Sequence, residues 1–189
     1  MIDALCKQAV GRSAAVACFY FDFAAQEEQS PAAVLGSVLK QVVRRLERIP
    51  ETIVKAFREG EGVIGGQRLT LSEVVGFLQA ISSSHCTFIC IDALDECLAG
   101  HRVKLLDSLN QIVQESPGAR IFLTGRQHIF DEVKKHLGGR AAARSITPTK
   151  DGIVTFLRAK LKEDTMPGAM DESLEKEIIK NIPGTVSEM

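Results

Sequence analysis

Two kinds of apolar pattern alternate along the chain. Continuous apolar runs of strand length predict buried β-strands at Ala14–Phe21, Cys86–Ile91 and Arg120–Thr124. Apolar residues at helical spacing predict helices with one buried face at Val34–Leu46, Leu71–Ile81, Leu105–Val113 and Val133–Leu137. Strands that alternate with helices favour an α/β fold in which helices cover both faces of a parallel sheet.

Polar and glycine residues mark where these elements begin and end. Ser30 followed by Pro31 predicts a helix start, and the Thr-Leu-Ser-Glu segment at residues 70–73 matches a capping box. Gly60–Gln67 contains four glycines and is predicted to be a flexible loop. Residues 1–11 are typical of the end of a helix that stops at Gly11.

The pattern changes near Thr149, beyond which only helices are predicted, around Ile153–Leu161 and Leu174–Ile182. Just before this change, Arg144–Ile146 is interpreted as a short last strand. We therefore divide the chain into an α/β domain over residues 1–147 and the beginning of a helical domain over residues 148–189.

Composition and charge exclude several classes of function. The 189 residues carry 23 Lys and Arg against 24 Asp and Glu, so neither nucleic acid nor an anionic membrane is a predicted partner. The longest apolar runs are too short to cross a bilayer, and the N-terminus does not resemble a secretory signal. The five cysteines, which fall mostly inside strands, favour free thiols in a reducing compartment. We expect a cytoplasmic protein.

Three carboxylates follow the second predicted strand, at Asp92, Asp95 and Glu96. Open α/β sheets bind ligands at the carboxyl ends of their strands, and buried carboxylates there need a cation or donors to offset their charge. Mg²⁺, bound through one carboxylate, phosphate oxygens and water, is the usual solution. The alternative is a set of solvated loop acids, but three acids in five positions favour a site. We expect the three to cluster around one metal ion.

Phe88–Glu96 resembles the Walker B strand of NACHT-type NTPases, in which four apolar residues precede Asp, a small residue, an apolar residue and Asp-Glu. Arg120–Arg126 resembles the next motif of that family, a strand that ends in Thr-Ser-Arg, with Gly125 in place of the serine. The similarity covers almost the whole chain and is closest to the fungal heterokaryon-incompatibility and nephrocystin-like group. It implies a three-layer parallel sheet of P-loop NTPase type, followed by a helical domain.

The resemblance also implies a role for each residue of the site. Asp92 would act on the Mg²⁺ of a bound ATP or GTP. Glu96, with Asp95, would orient or activate the hydrolytic water, and Arg126 would sense the terminal phosphate. The alternative for Arg126 is a surface arginine that opens a helix. An intact member of the family would couple slow hydrolysis to oligomerisation in non-self recognition or related signalling.

One motif of the NACHT family is missing from this sequence. The sequence contains no Gly-x-x-x-x-Gly-Lys-Ser/Thr segment, which forms the phosphate-binding P-loop, and the glycine-rich Gly60–Gly66 lacks the Lys-Ser/Thr pair. By the resemblance, Ile2–Cys6 would belong to the helix that leaves the P-loop, so the chain is expected to be truncated just after it. We expect no binding or hydrolysis of nucleotide by the chain alone. Without a P-loop strand beside it, Ile121–Thr124 would be an open apolar edge, so we also expect a homo-oligomer or a poorly soluble chain.

Three alternatives stay open. A non-catalytic fragment could dock through the open edge onto an intact NACHT protein. A two-metal phosphotransfer enzyme would need acids on several strand ends, for which Asp22 is the only further candidate. Zinc binding has no paired Cys-x-x-Cys spacing in its favour. Its candidate ligands would be Cys86, Cys90, Cys97, His85 and His101.

Overall fold

The computed structural model describes residues 14–61, 69–138, 140–163 and 172–185. Its strands are β1 (Ala14–Tyr20), β2 (Cys86–Asp92) and β3 (Ala119–Leu123). Its helices are α1 (Pro31–Val43), α2 (Glu51–Glu61), α3 (Leu71–Ser84), α4 (Ala99–Glu115), α5 (Phe130–His136), α6 (Lys150–Lys162) and α7 (Glu172–Thr185). A short 3₁₀ turn follows each strand, at Phe23–Glu28, Leu94–Glu96 and Gln127–Ile129.

The three strands form one parallel sheet in the order β1–β2–β3. In this register Ala17 lies opposite Ile89, which in turn lies opposite Ile121. Ala17 and Ile89 are fully buried, as expected for strands whose apolar runs are continuous. The predicted α/β class and all three predicted strands are confirmed.

Helices α1, α3 and α4 contact one another and lie against the sheet, α1 on β1, α3 on β2 and β3, and α4 on β3. Their apolar stripes face the core, where each buried leucine or isoleucine contributes about 1.5–3 kcal/mol. Fully buried side chains of these helices include Leu35, Leu39, Leu78, Ile81, Leu105, Leu106, Leu109 and Ile112. The apolar residues predicted to form one face of each helix are therefore the residues that build this core.

The predicted helix starts are also confirmed. The Ser30 hydroxyl accepts the N–H of Ala33 (3.3 Å) at the start of α1. At the start of α3, the Thr70 hydroxyl accepts the N–H of Glu73 (3.3 Å) and the Glu73 carboxylate accepts the N–H of Thr70 (2.7 Å). The Thr70 hydroxyl also donates to the Glu73 carboxylate (2.7 Å). This bond and the one from the Thr70 N–H hold the pKa of the Glu73 carboxyl below its ordinary value, because both favour the charged form.

A glycine allows β3 to begin close to the end of α3. A Cβ on Gly118 would lie 2.3 Å from the carbonyl oxygen of Ser82 and 2.6 Å from that of His85. Gly118 donates its N–H to Ser82 (3.1 Å), and its carbonyl accepts the N–H of Thr87 (2.9 Å). Because both obstacles are backbone atoms, any larger residue would displace β3 from its register with β2.

Two predictions about connecting segments differ from the structure. Arg144–Ile146 forms no strand and Ile146 is 82% exposed, so the predicted last strand is wrong. One isoleucine among polar residues buries too little apolar surface to fix a strand. Helix α2 continues to Glu61, past the start of the predicted glycine-rich loop. The rest of that loop, residues 62–67, and the predicted helix end at residues 1–11 lie outside the described residues.

The chain divides into two compact units between Ala142 and Ala143. The first contains the sheet with α1–α5, and in the second α6 and α7 pack against each other. The helices predicted beyond Thr149 are thereby confirmed, whereas the division into an NTPase domain and a helical domain at residue 147 stays a prediction. Among the helices described, none has the length and apolar character needed to cross a membrane.

Candidate functional site

The chain turns sharply as it leaves β2. Ala93 has a left-handed backbone, with φ 53° and ψ 44°, a conformation that costs a non-glycine residue about 1–2 kcal/mol. The next residue, Leu94, is fully buried and anchors the 3₁₀ turn Leu94–Glu96 in the core. This anchored turn presents Asp95 and Glu96 to different neighbours.

Thr124, the residue after β3, holds the end of β2 in place. Its N–H donates to the carbonyl oxygen of Ile91 (3.0 Å), and its carbonyl accepts the N–H of Leu94 (2.9 Å). Its hydroxyl accepts the N–H of Ala93 (3.1 Å) and donates to Oδ1 of Asp92. One side chain therefore orients the Asp92 carboxylate at the carboxyl end of the middle strand.

Asp95 and Arg126 connect the turn after β2 to the end of β3. Oδ1 of Asp95 accepts the backbone N–H of Arg126 (3.2 Å), and Oδ2 lies 3.4 Å from Nε of Arg126. The Asp95 side chain is only 8% exposed, whereas the Arg126 side chain is 78% exposed. The carboxylate therefore holds the base of an arginine whose side chain extends largely into solvent.

Glu96 connects the same turn to the loop after β1. Its Oε2 accepts the N–H of Phe23 (3.1 Å), and its carbonyl accepts a side-chain N–H of Gln26 (2.6 Å). Asp22 caps this loop, because its Oδ1 accepts the N–H of Ala24 (2.9 Å). Asp22 and Glu96 therefore both accept hydrogen bonds from backbone N–H groups of the loop after β1.

Gly125 lies where the end of β3 passes close to the turn after β2. A Cβ at this position would lie 2.7 Å from Cδ1 of Ile129 and 3.5 Å from the backbone nitrogen of Asp95. Ile129 is itself buried. The lack of a side chain at Gly125 therefore leaves room for Ile129 beneath the site.

The three acids do not share one binding point. Asp92 and Asp95 are bound at the end of β3, and Glu96 is bound at the end of β1. Over the described ranges, no three His, Cys, Asp or Glu side chains are grouped so that they could hold a metal ion. The prediction that these acids cluster around one ion is therefore wrong. The left-handed Ala93 and the buried Leu94 turn the chain, and each carboxylate finds a donor on a different neighbour.

This arrangement lies within a segment that matches a known family. Residues 1–126, more than half of the chain, match the family model described as nephrocystin 3, N-terminal. The chain belongs to the nephrocystin 3 N-terminal family. The nephrocystin-like part of the resemblance is thereby confirmed. No curated protein and no solved structure matches the chain.

The nephrocystin 3 N-terminal match includes Asp92, Asp95, Glu96 and Arg126. Of these, Asp92 is suited to binding Mg²⁺, because the ion commonly takes one carboxylate from a protein and its other ligands from phosphates and water. The sequence of this nephrocystin-like chain contains no P-loop segment to bind those phosphates. The residues present therefore fit one ligand of a Mg²⁺–nucleotide site but do not form such a site by themselves.

Sequence reasoning missed the groups that hold the acids of this nephrocystin-like chain. The backbone N–H of Phe23 and the side chain of Gln26 carry no sequence signal, because they meet Glu96 only through the parallel pairing of β1 with β2. The Thr124 hydroxyl had a signal, since it stands at a strand end two residues before Arg126. Its bond to Asp92 depends on the register between β2 and β3.

Proposed function

We propose that this nephrocystin-like chain is a partial NACHT-type NTPase module, with β2 as its Walker B strand and β3 as its sensor strand. The observation that carries this proposal is the hydrogen bond from the Thr124 hydroxyl to Asp92, across two adjacent parallel strands. It orients a carboxylate at the end of a sheet where α/β proteins bind ligands. The resemblance of Phe88–Glu96 and Arg120–Arg126 to family motifs supports the same assignment.

In this proposal each residue has a separate part. Asp92 would bind Mg²⁺, which would neutralise phosphate charge when nucleotide is bound. Asp95 would position Arg126, whose exposed guanidinium could reach a terminal phosphate. Glu96 accepts the N–H of Phe23 through Oε2, so its other carboxylate oxygen, Oε1, could orient a water. The module would belong to a signalling protein of the non-self-recognition type.

We also infer a cytoplasmic location. None of the four cysteines in the described part forms a disulfide; they are Cys18, Cys86, Cys90 and Cys97. Free thiols are typical of a reducing compartment.

The role of Asp92 can be tested with Mn²⁺, a paramagnetic substitute for Mg²⁺. In NMR spectra, we expect Mn²⁺ to broaden the amide signals of Ala93 and Thr124 at lower concentration than the amide signals near other acidic side chains. The reason is that an ion bound to Asp92 would lie next to both residues. Asp92→Asn should abolish this selectivity, and Asp131→Asn, at an exposed acid on α5, should preserve it. Broadening that is centred elsewhere, or that survives Asp92→Asn, would contradict the assignment of Asp92.

The expected failure to bind nucleotide without a P-loop can be tested separately. We expect neither Mg-ATP nor Mg-GTP at millimolar concentration to raise the melting temperature of the chain, and we expect no phosphate release. The reason is that backbone amides and a lysine supply most of the affinity for the triphosphate in P-loop proteins. Micromolar affinity for either nucleotide would show that the chain binds through residues outside this proposal.

A second candidate function, a fragment that docks onto an intact NACHT protein, is favoured by the edge of β3. Thr124 donates its N–H to Ile91, and Gly118 accepts from Thr87, so the even-numbered residues of β3 face β2. The N–H and C=O groups of Ile121 and Leu123 therefore face away, and no described residue pairs with them. Exposed edges of this kind accept an added strand.

The opposite edge of the sheet is protected at a comparable position. The Gln41 side chain accepts the N–H of Cys18 (3.0 Å) and donates to its carbonyl (2.8 Å), as a neighbouring strand would. Docking should therefore use β3 and not β1. Co-purification with an intact NACHT homologue, lost on Ile121→Pro but not on Ile121→Ala, would support docking. A monodisperse monomer that binds no homologue would count against it.

A further inference from the structure

A groove opens on the side of the first unit that carries α2. It has a volume of about 810 Å³ and is lined by Arg48, Ile49, Pro50, Glu51, Val54, Lys55 and Arg58, which we call the basic groove. The first three residues form the turn before α2. The other four recur at helical spacing, so they form one face of that helix.

The basic groove is held by contacts to the core. Ile53, on the opposite side of α2, is 1% exposed and belongs to the hydrophobic core. The Pro50 carbonyl accepts the N–H of Ile53 (3.0 Å) and that of Val54 (3.2 Å), which fixes the turn on the helix. The groove therefore has a defined shape set by packing and by backbone hydrogen bonds.

Its charge differs from that of the whole chain. Among the described residues that line the groove, three are cationic and one, Glu51, is acidic, whereas the chain as a whole has a net charge of −1. Arg48 and Arg58 form no ion pair with any residue in the described ranges. Local excess positive charge of this kind attracts anionic partners.

The spacing of the cations favours an elongated ligand. Arg58 lies about 10.5 Å of helix rise beyond Glu51, and Arg48 precedes the helix, so the two arginines are distributed along the groove. Between the cations lie apolar side chains, including Ile49, which is 46% exposed. Nucleic acid is disfavoured because none of the described side chains that line the groove is an aromatic one that could stack on a base.

We propose that the basic groove binds an acidic peptide segment of a partner protein, one in which carboxylates alternate with apolar side chains. The carboxylates would pair with Arg48 and Arg58, and the apolar side chains would cover Ile49 and Val54. Arginine suits this role because its guanidinium binds carboxylates in a bidentate manner. This interaction needs neither nucleotide nor Asp92, so it can fail or succeed independently of the proposed NTPase assignment.

The test is a selection of phage-displayed random peptides of about 16 residues, long enough to carry several carboxylates with apolar residues between them. The full chain is the target, and selected peptides are then measured by fluorescence anisotropy. The double variant Arg48→Gln/Arg58→Gln removes two cations of the groove. The matched control Lys134→Gln/Lys135→Gln removes two exposed cations from α5, so both variants have the same net charge.

We expect selected peptides to be acidic with interspersed apolar residues, and to bind more weakly at high salt. Loss of Arg48 and Arg58 should weaken binding by about tenfold, and the control should leave it within about twofold. Neutral or basic selected peptides, or an equal loss in the control, would overturn the proposal. A different result would assign the groove to a membrane surface and would also overturn the proposal. In that case no acidic peptides are recovered, and the chain binds phosphatidylserine vesicles but not phosphatidylcholine vesicles in a manner that depends on Arg48 and Arg58.

Discussion

Thr124 makes four hydrogen bonds that join the end of β3 to the last two residues of β2 and the turn that follows it. Two use its backbone and two use its hydroxyl. The orientation of Asp92 therefore depends on a neutral side chain from the neighbouring strand. At the scale of single residues, this dependence distinguishes Asp92 from a solvated acid at a loop.

Thr124→Val should lower the free energy of unfolding by about 1–2 kcal/mol, because the Asp92 carboxylate loses a donor and the Ala93 N–H loses an acceptor. Thr124→Ser retains the hydroxyl and should lose less. Urea unfolding of the two variants measures the difference. If valine and serine destabilise the chain equally, the hydroxyl does not have the role assigned to it.

Cys97 supports a prediction about pH. Burial raises the pKa of its thiol to about 11, with the Arg102 guanidinium opposing the shift and the Glu132 carboxylate adding to it. Because the folded-state pKa lies above the ordinary value of 9.0, the stabilising contribution of the thiol is complete at neutral pH. It is lost as the pH rises through the folded-state pKa.

We therefore expect the stability difference between the unmodified chain and Cys97→Ala to shrink between neutral pH and pH values near 11. Urea unfolding at the two ends of this range measures it. Cys86→Ala, at an exposed thiol, is the control for general alkaline destabilisation. A Cys97 difference that stays constant over this range would contradict the buried, protonated thiol.

At the scale of elements, the two edges of the sheet differ in protection. Gln41 occupies the backbone groups of Cys18 on β1, whereas Ile121 and Leu123 on β3 have no such partner among the described residues. The alternation along β3 means that adjacent residues direct their N–H groups to opposite sides. This alternation can be tested by proline, which removes one N–H at a time.

Ile121→Pro should be no more than about 1 kcal/mol less stable than Ile121→Ala, because the N–H at residue 121 faces away from β2. Phe122→Pro should be at least about 2 kcal/mol less stable than Phe122→Ala, since it removes a ladder bond and introduces a steric clash. Chemical denaturation of the four variants measures both differences. Equal proline penalties at the two positions would show that the pairing of β3 differs from the one described.

At the scale of the whole molecule, the segment that joins the two compact units has no regular structure. Residues 140–149 are exposed throughout and form neither helix nor strand. Proteases cut such segments because the backbone can enter the active site without unfolding a core. The division between Ala142 and Ala143 lies within it.

Limited trypsin digestion should therefore cut after Arg140 and Arg144. Arg102 is the internal control, because it lies in α4, its side chain is 12% exposed, and its Nε donates to Glu132 at 2.8 Å. Mass spectrometry of early products identifies the cut sites. Cleavage at Arg102 as fast as at Arg144 would show that the first unit opens as readily as the connecting segment.

Much of the fold could be predicted from local sequence. The continuous apolar run at Cys86–Ile91 and the capping box at Thr70 are local signals, and each appears in the structure at its predicted place. Arg144–Ile146 failed because a three-residue strand depends on a partner strand, which local pattern does not supply. The three acids were located correctly on the chain but not relative to one another, since Ala93 adopts a backbone conformation that alanine rarely takes.

The sequence by itself determined the three strands of the sheet, the helices that pack on them and the caps at Ser30 and Thr70, because burial periodicity and terminal hydrogen bonds depend on residues that are neighbours along the chain. Only the tertiary structure decided which strands pair, which carboxylate each donor binds, and that Arg48 and Arg58 line one groove. The physical reason is that these contacts form between residues brought together by the packing of the sheet and its helices. A hydrogen bond depends on that placement to within a fraction of an ångström, and a charge–charge interaction depends on it to within a few ångströms.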